Sequence, residues 1–203
     1  MHIIYLTLLF IIFSILSCKP IKSNSKNDYD NDFYTVDRIV FDIIKIKAGP
    51  EISNYWVDMP TFIFCNESNM TPGRMKKGIS YWKRLGYPIS SVRYDVKDEE
   101  CIRDPVVGEV MIKLVNNNIP IRQNLAVTRV YYRTDTRQIQ SAIIYVIGGF
   151  SNYERLIEHE IGHALGWSHY RRHYHIMNPD YKSTGHDSFG LSYASYSRNI
   201  EYF

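Results

Sequence analysis

The sequence predicts an α/β domain, a sheet of about five strands covered by helices, and three observations carry that expectation. Five apolar runs of strand length, rich in Ile, Val, Phe and Tyr, punctuate residues 61 to 147. Between the first two, Met75, Ile79, Trp82 and Leu85 recur along one face of a helical segment. After the last, His159 and His163 stand one helical turn apart.

In chain order, residues 1–17 read as a signal peptide and not as part of the fold. Ile3 to Leu16 carries no charge, is too short for a comfortable membrane span and has the length of a signal h-region. Ile15-Leu16-Ser17-Cys18 resembles a bacterial lipobox, with Ile15 where leucine is commoner and His2 where Lys or Arg usually precedes the apolar run. The resemblance implies a lipidated Cys18 and an exported lipoprotein, held at a membrane and facing the periplasm or the cell exterior. Ordinary secretion and an uncleaved anchor are the alternatives. Residues 18–32 are Asn, Ser, Lys and Asp with almost no apolar side chains, too little to bury, and read as a tether. Within residues 33–54, Arg38 to Ile46 suggests an extra strand or a short pro-segment, ended by Gly49-Pro50.

The main domain is expected over residues 55–203. Thr61 to Cys65 is a short buried strand; Thr71 as N-cap and Pro72 at the first position then open a helix that Gly86 and Pro88 stop. Strands follow near Ile89 to Val96, Val106 to Val115, Ala126 to Arg133 and Ile139 to Ile147, the last two paired as a hairpin across Thr134 to Arg137. Gly148-Gly149 feeds the next helix, with Ser151 as N-cap and Glu154 completing a capping box. A C-terminal helix closes the chain.

Composition agrees with one modest domain. The 203 residues are 45% hydrophobic, enough for a core once leader and tether are set aside. The net charge is only +3 and the basic residues are dispersed, which excludes a nucleic-acid surface. The 17 tyrosines read as packing, no internal repeat or second domain is visible, and a monomer is expected. In an exported protein Cys65 and Cys101 form the natural disulfide, leaving Cys18 for lipid. Neither Cys65 nor Cys101 has the neighbouring base a nucleophile needs.

His159-Glu160-Ile161-Gly162-His163-Ala164-Leu165-Gly166-Trp167-Ser168-His169 organises the rest. On a helix ending near Leu165, His159 and His163 project from one face and reach one ion. Gly166 tolerates positive φ and turns the chain, so that His169 returns as a third nitrogen. Three protein ligands with one open position is the coordination of a catalytic zinc ion, and Glu160 is placed to act on a zinc-bound water instead of on the metal. His173, His175 and His186 have no ligand spacing of their own and read as surface histidines.

This stretch resembles the zinc signature H-E-x-x-H-x-x-G-x-x-H of the metzincin metallopeptidases. Ile176-Met177-Asn178-Pro179 agrees with it: metzincins carry a methionine turn beneath the metal, and the short spacing and Pro179 look like the matrixin branch. No tyrosine stands at 179, so no tyrosine ligand is implied, and no cysteine switch precedes the domain. The resemblance implies a mixed twisted sheet with a backing helix, an active-site helix and a C-terminal helix. It also implies an extended peptide or protein substrate along the strand near Ala126 to Arg133, with Pro179 and Tyr181 walling the pocket for the residue after the cut. The expected activity is that of a zinc endopeptidase with one ion, Glu160 moving the proton. Two other readings remain at this point. A peptidoglycan-crosslink endopeptidase uses the same zinc chemistry, and a noncatalytic zinc-stabilised surface module keeps the histidines but has no need of Glu160.

Overall fold

The computed structural model describes residues 49–115 and 124–201. Cys18, the signal segment, the tether and the Arg38–Ile46 strand expected above lie outside them. In order come β1 (Thr61–Cys65), α1 (Pro72–Arg84), β2 (Val92–Val96), a single turn α2 (Asp98–Cys101), β3 (Glu109–Leu114), β4 (Ala126–Tyr132), β5 (Ile139–Val146), α3 (Leu156–Ala164) and α4 (Tyr193–Ile200).

The five strands form one mixed sheet in the order β2-β1-β3-β5-β4. β1 runs parallel to β2 and β3, β3 parallel to β5, and β4 alone is antiparallel, as the hairpin partner of β5. Central β3 buries Val110, Met111 and Ile112 in succession because both of its faces are covered. β4 is one of the two edge strands, with β2 at the other end, and carries exposed Tyr131 and Tyr132.

Strand alternation divides the apolar residues between two cores. Phe62, Phe64, Val110, Ile112, Ala142, Ile144 and Val146 face the helices, where they meet Trp82 of α1, Ile157 and Ile161 of α3, and Tyr196 of α4. α1 lies as its sequence pattern requires, with Met75, Ile79 and Trp82 buried and Leu85 at the margin. Thr71 Oγ1 accepts the Arg74 N–H, and Gly86 beyond the helix takes φ +91. Arg74 and Glu158 form a buried ion pair between α1 and α3.

The opposite face holds a smaller cluster of Ile63, Cys65, Val96, Cys101 and Met111, closed by the Cys65–Cys101 disulfide. The partner cysteine sits on α2, which the sequence does not announce because four residues are too few to show a helical period.

The start of α3 departs from expectation. Ser151 is not its N-cap; it follows a 3-10 turn over Gly148–Phe150, and its hydroxyl donates to Gly148 O. The helix begins at Leu156 after Arg155, which adopts φ +68 and donates to Thr184 O. A left-handed residue braced from a distant loop turns the chain into the helix in place of a side-chain cap.

Replacing both Cys65 and Cys101 by Ala is expected to lower unfolding free energy by about 2–4 kcal/mol, the range for removing a native disulfide. The main core should keep its packing, since the smaller cluster lies on the opposite face of the sheet. Urea denaturation and near-ultraviolet circular dichroism of the same sample check both halves.

Candidate metal centre

α3 and the turn after it assemble the three histidines. Within the helix His159 and His163 stand one turn apart, their ring centroids separated by 4.7 Å. Beyond it Gly166 takes φ +102 and the chain reverses, bringing the His169 ring to 4.5 Å from that of His163. Gly166 N–H donates to His163 O at 2.9 Å and Trp167 N–H to Gly162 O at 3.0 Å, the paired bonds of a Schellman turn. A Cβ at 166 would meet the Asn54 carbonyl as well as the left-handed strain, so only glycine fits. The segment that crowds it is held in place: Ser53 N–H donates to Gly166 O, Ser168 N–H to Glu51 O, and buried Ile52 bridges to Trp167.

The ring nitrogens decide what this cluster can do. His159 Nδ1 lies 2.7 Å from Ile176 O, and His163 Nδ1 lies 2.8 Å from Trp167 O. A carbonyl can only accept, so both Nδ1 atoms carry the proton and both Nε2 atoms present lone pairs. His159 and His163 bring those Nε2 atoms to 3.0 Å, and His169 Nε2 stands 3.1 Å from that of His163. The facing lone pairs of His159 and His163 repel unless a cation lies between them. A tetrahedral zinc ion with nitrogens at about 2.0–2.1 Å would have them about 3.3 Å apart, so the set fits with a small adjustment.

Electrostatics favours the ligating form. Burial lowers the His159 pKa, and burial together with the adjacent His159 and His169 holds His163 well below the usual imidazole value. His169 is lowered to about 4, by burial first and then by His159 and Arg171. All three are neutral near pH 7, as coordination requires. Among the described residues they are the one group of three or more His, Cys, Asp or Glu able to share an ion.

Glu160 is turned toward the sheet and is only 5% exposed. Thr128 Oγ1 donates to its Oε2 at 2.6 Å and reaches its backbone carbonyl at 3.2 Å. Burial pushes the carboxyl pKa up to about 7, opposed by that hydrogen bond. Thr128 belongs to β4, so this edge strand and the histidine helix are tied at the carboxylate. The sequence predicts the strand here but does not single out Thr128. Alternation sets Ala126, Thr128 and Val130 on one face, but only the sheet order shows that this face meets α3.

Met177 lies fully buried beneath the helix, and Tyr170 N–H donates to its carbonyl at 2.8 Å. Its presence explains Gly162: a Cβ there would overlap the Met177 sulfur and press on the Trp82 ring. Glycine in a helix costs about 1 kcal/mol relative to alanine. Overpacking costs about 1–3 kcal/mol, so the glycine is the better residue here. Pro179 is exposed. Tyr181 is half-buried near the start of α3, its hydroxyl donating to Glu154 O at 2.9 Å and its ring 5.8 Å from the Arg155 guanidinium.

His173 and His186 are exposed, as expected. His175 is not a surface histidine: it is fully buried, its Nδ1 accepting from Met177 N–H at 3.1 Å and its Nε2 donating to Phe189 O at 3.0 Å. A turn rich in Tyr and Arg looks solvated in sequence because the partners of its one inward residue lie on the backbone.

With the histidines, the buried carboxylate and the methionine floor in place, the family match becomes interpretable: the profile of the matrixins covers residues 90–197, more than half of the chain. The chain belongs to the matrixin family. No curated protein matches it. Matrixins are zinc metallopeptidases, and the three-histidine group provides this matrixin with the nitrogen donors a zinc ion takes.

Alanine at His169 is expected to empty the site on dialysis against a weak chelator, because two imidazoles remain. Alanine at His173 or His186 should leave zinc per protein unchanged. Elemental analysis decides, and full occupancy in His169→Ala would remove His169 from the ligand set.

Proposed function

We propose that this matrixin is an endopeptidase that cuts extended protein or peptide chains outside the cytoplasm, using one catalytic zinc ion held by His159, His163 and His169. The observation that carries the reading is the convergence of Nε2 atoms around a point next to a buried carboxylate. A zinc ion there supplies Lewis acidity, making water a better nucleophile near neutral pH and polarising the scissile carbonyl.

Glu160 does the proton work. Thr128 occupies Oε2 and leaves Oε1 to take the proton of the attacking water. The carboxyl then delivers it to the nitrogen of the departing amine. A pKa raised toward neutrality by burial suits a group that must both accept and release a proton.

The substrate lies along β4 in this reading. An outermost strand offers backbone donors and acceptors to an added chain, and β-augmentation aligns that chain without demanding a particular sequence. Because Thr128 of β4 touches Glu160, a peptide on this edge passes beside the carboxylate. Pro179 and Tyr181 are assigned to the wall of the pocket after the cut. The Cys65–Cys101 disulfide supports an oxidising, exported location. Lipid on Cys18 as the anchor and a monomeric enzyme complete the proposal. Among the described residues no helix is long and apolar enough to cross a membrane.

Zinc-loaded Glu160→Ala is expected to keep its metal and lose at least about 10²-fold in kcat, the lower range for a general base. Thr128→Val should lower kcat by up to about 10-fold with little change in KM, because Thr128 holds the base and not the peptide. Initial rates on a quenched fluorescent peptide library and on casein measure both. Cleavage of purified sacculi with casein untouched would move the activity to cell-wall crosslinks.

A further inference from the structure

The buried histidine of the methionine turn takes no part in the proton chemistry above, yet it lies one peptide group away from a metal ligand. The Ile176–Met177 peptide accepts a hydrogen bond on its carbonyl from His159 Nδ1, at 2.7 Å. The same peptide donates through its N–H to His175 Nδ1, at 3.1 Å. His175 Nε2 then donates to Phe189 O, at 3.0 Å. The result is an unbroken row: His159, a peptide group, His175 and a carbonyl, each donating to the next.

The partners leave His175 a single tautomer. An N–H faces Nδ1 and a carbonyl faces Nε2, so Nδ1 carries the lone pair and Nε2 the proton. The ring is fully buried and packs edge to face against Tyr170, with centroids 4.9 Å apart, so it has little room to turn. Its own backbone is tied as well, His175 N–H to Arg172 O at 3.1 Å, and the next amide, Ile176 N–H, to Asp187 O at 2.8 Å. An amide whose N–H is already engaged is polarised toward stronger acceptance at its oxygen, and a bond that orients a ligating imidazole also raises its basicity.

We propose that His175 is a positioning residue of the metal centre: it fixes the Ile176–Met177 peptide so that the Ile176 carbonyl holds His159 in its ligating tautomer and orientation. This rests on the zinc reading of the histidine cluster but not on peptide cleavage. His175 neither touches the ion nor replaces a ligand. Phe189 joins the centre as the outer anchor, linking the segment before α4 to the helix that carries the site.

Two substitutions separate this role from simple packing. Asn places an acceptor where Nδ1 stands and loses the Nε2 donor; Gln places a donor near Nε2 and loses the Nδ1 acceptor. Each removes one buried hydrogen bond, so their stabilities should fall alike. Their metal affinities should not. With the full chain, competition against a chromophoric chelator is expected to show His175→Gln binding zinc about 10-fold more weakly than the unsubstituted protein, the low end for loss of an outer-shell partner. His175→Asn should stay within about 3-fold. The visible absorption bands of the cobalt-substituted protein should shift in the Gln variant and be retained in the Asn variant.

Tyr196→Phe serves as a control for lost stability, since it removes a different buried hydrogen bond, from Trp56 N–H at 2.7 Å, and should not alter zinc affinity. Equal losses in Asn and Gln, no loss in either, or a Gln variant too unstable to purify would make His175 structural only and overturn the proposal. If the unsubstituted protein binds zinc and cleaves nothing, the proposed function fails while this one is still decided by the affinities.

Discussion

Everything at this site depends on bringing the Nε2 atoms of three imidazoles to one point, an arrangement that a cation stabilises. Two of the rings are denied any other tautomer by backbone carbonyls, Ile176 O for His159 and Trp167 O for His163. Both carbonyls lie downstream of the helix that carries the rings. The helix therefore cannot make the site alone; the chain must reverse at Gly166 and pass back beneath at Met177. Two glycines and a methionine are therefore as much a part of this geometry as the three histidines. Gly166 lets the reversal pass Asn54, and Gly162 lets Met177 lie against the helix.

Neighbouring elements support this geometry from the other side. Trp82 of α1 fixes the depth of α3, its indole N–H donating to Glu158 O at 2.9 Å, and Trp56 donates to Ala164 O at 2.7 Å near the helix end. β4, at the edge, reaches the carboxylate through Thr128. A carboxyl buried to this degree is costly to ionise, and one short hydrogen bond offsets only part of that cost. The same burial that destabilises the charge raises its pKa to about 7.

Much of this was legible in sequence because it rests on local periodicity and on motif spacing. α1 follows from Thr71, Pro72 and the Met75, Ile79, Trp82 face; the β4–β5 hairpin follows from two alternating runs about a short polar turn. The histidine spacing and Gly166 announced the cluster before any coordinates. What escaped depends on contacts between distant segments. Arg155 replaces Ser151 at the head of α3 because the loop at Thr184 braces it, α2 is a single turn, Thr128 is meaningful only once β4 is known to border α3, and His175 is turned inward by Met177 and Phe189. Single-residue polarity carries none of this.

X-ray absorption at the zinc edge reads the neighbours of the bound ion directly. The expected result is a first shell of three imidazole nitrogens and one further light atom at about 2.0–2.1 Å, with outer scattering from three imidazoles. A sulfur at about 2.3 Å, or outer scattering from only two imidazoles, would contradict it.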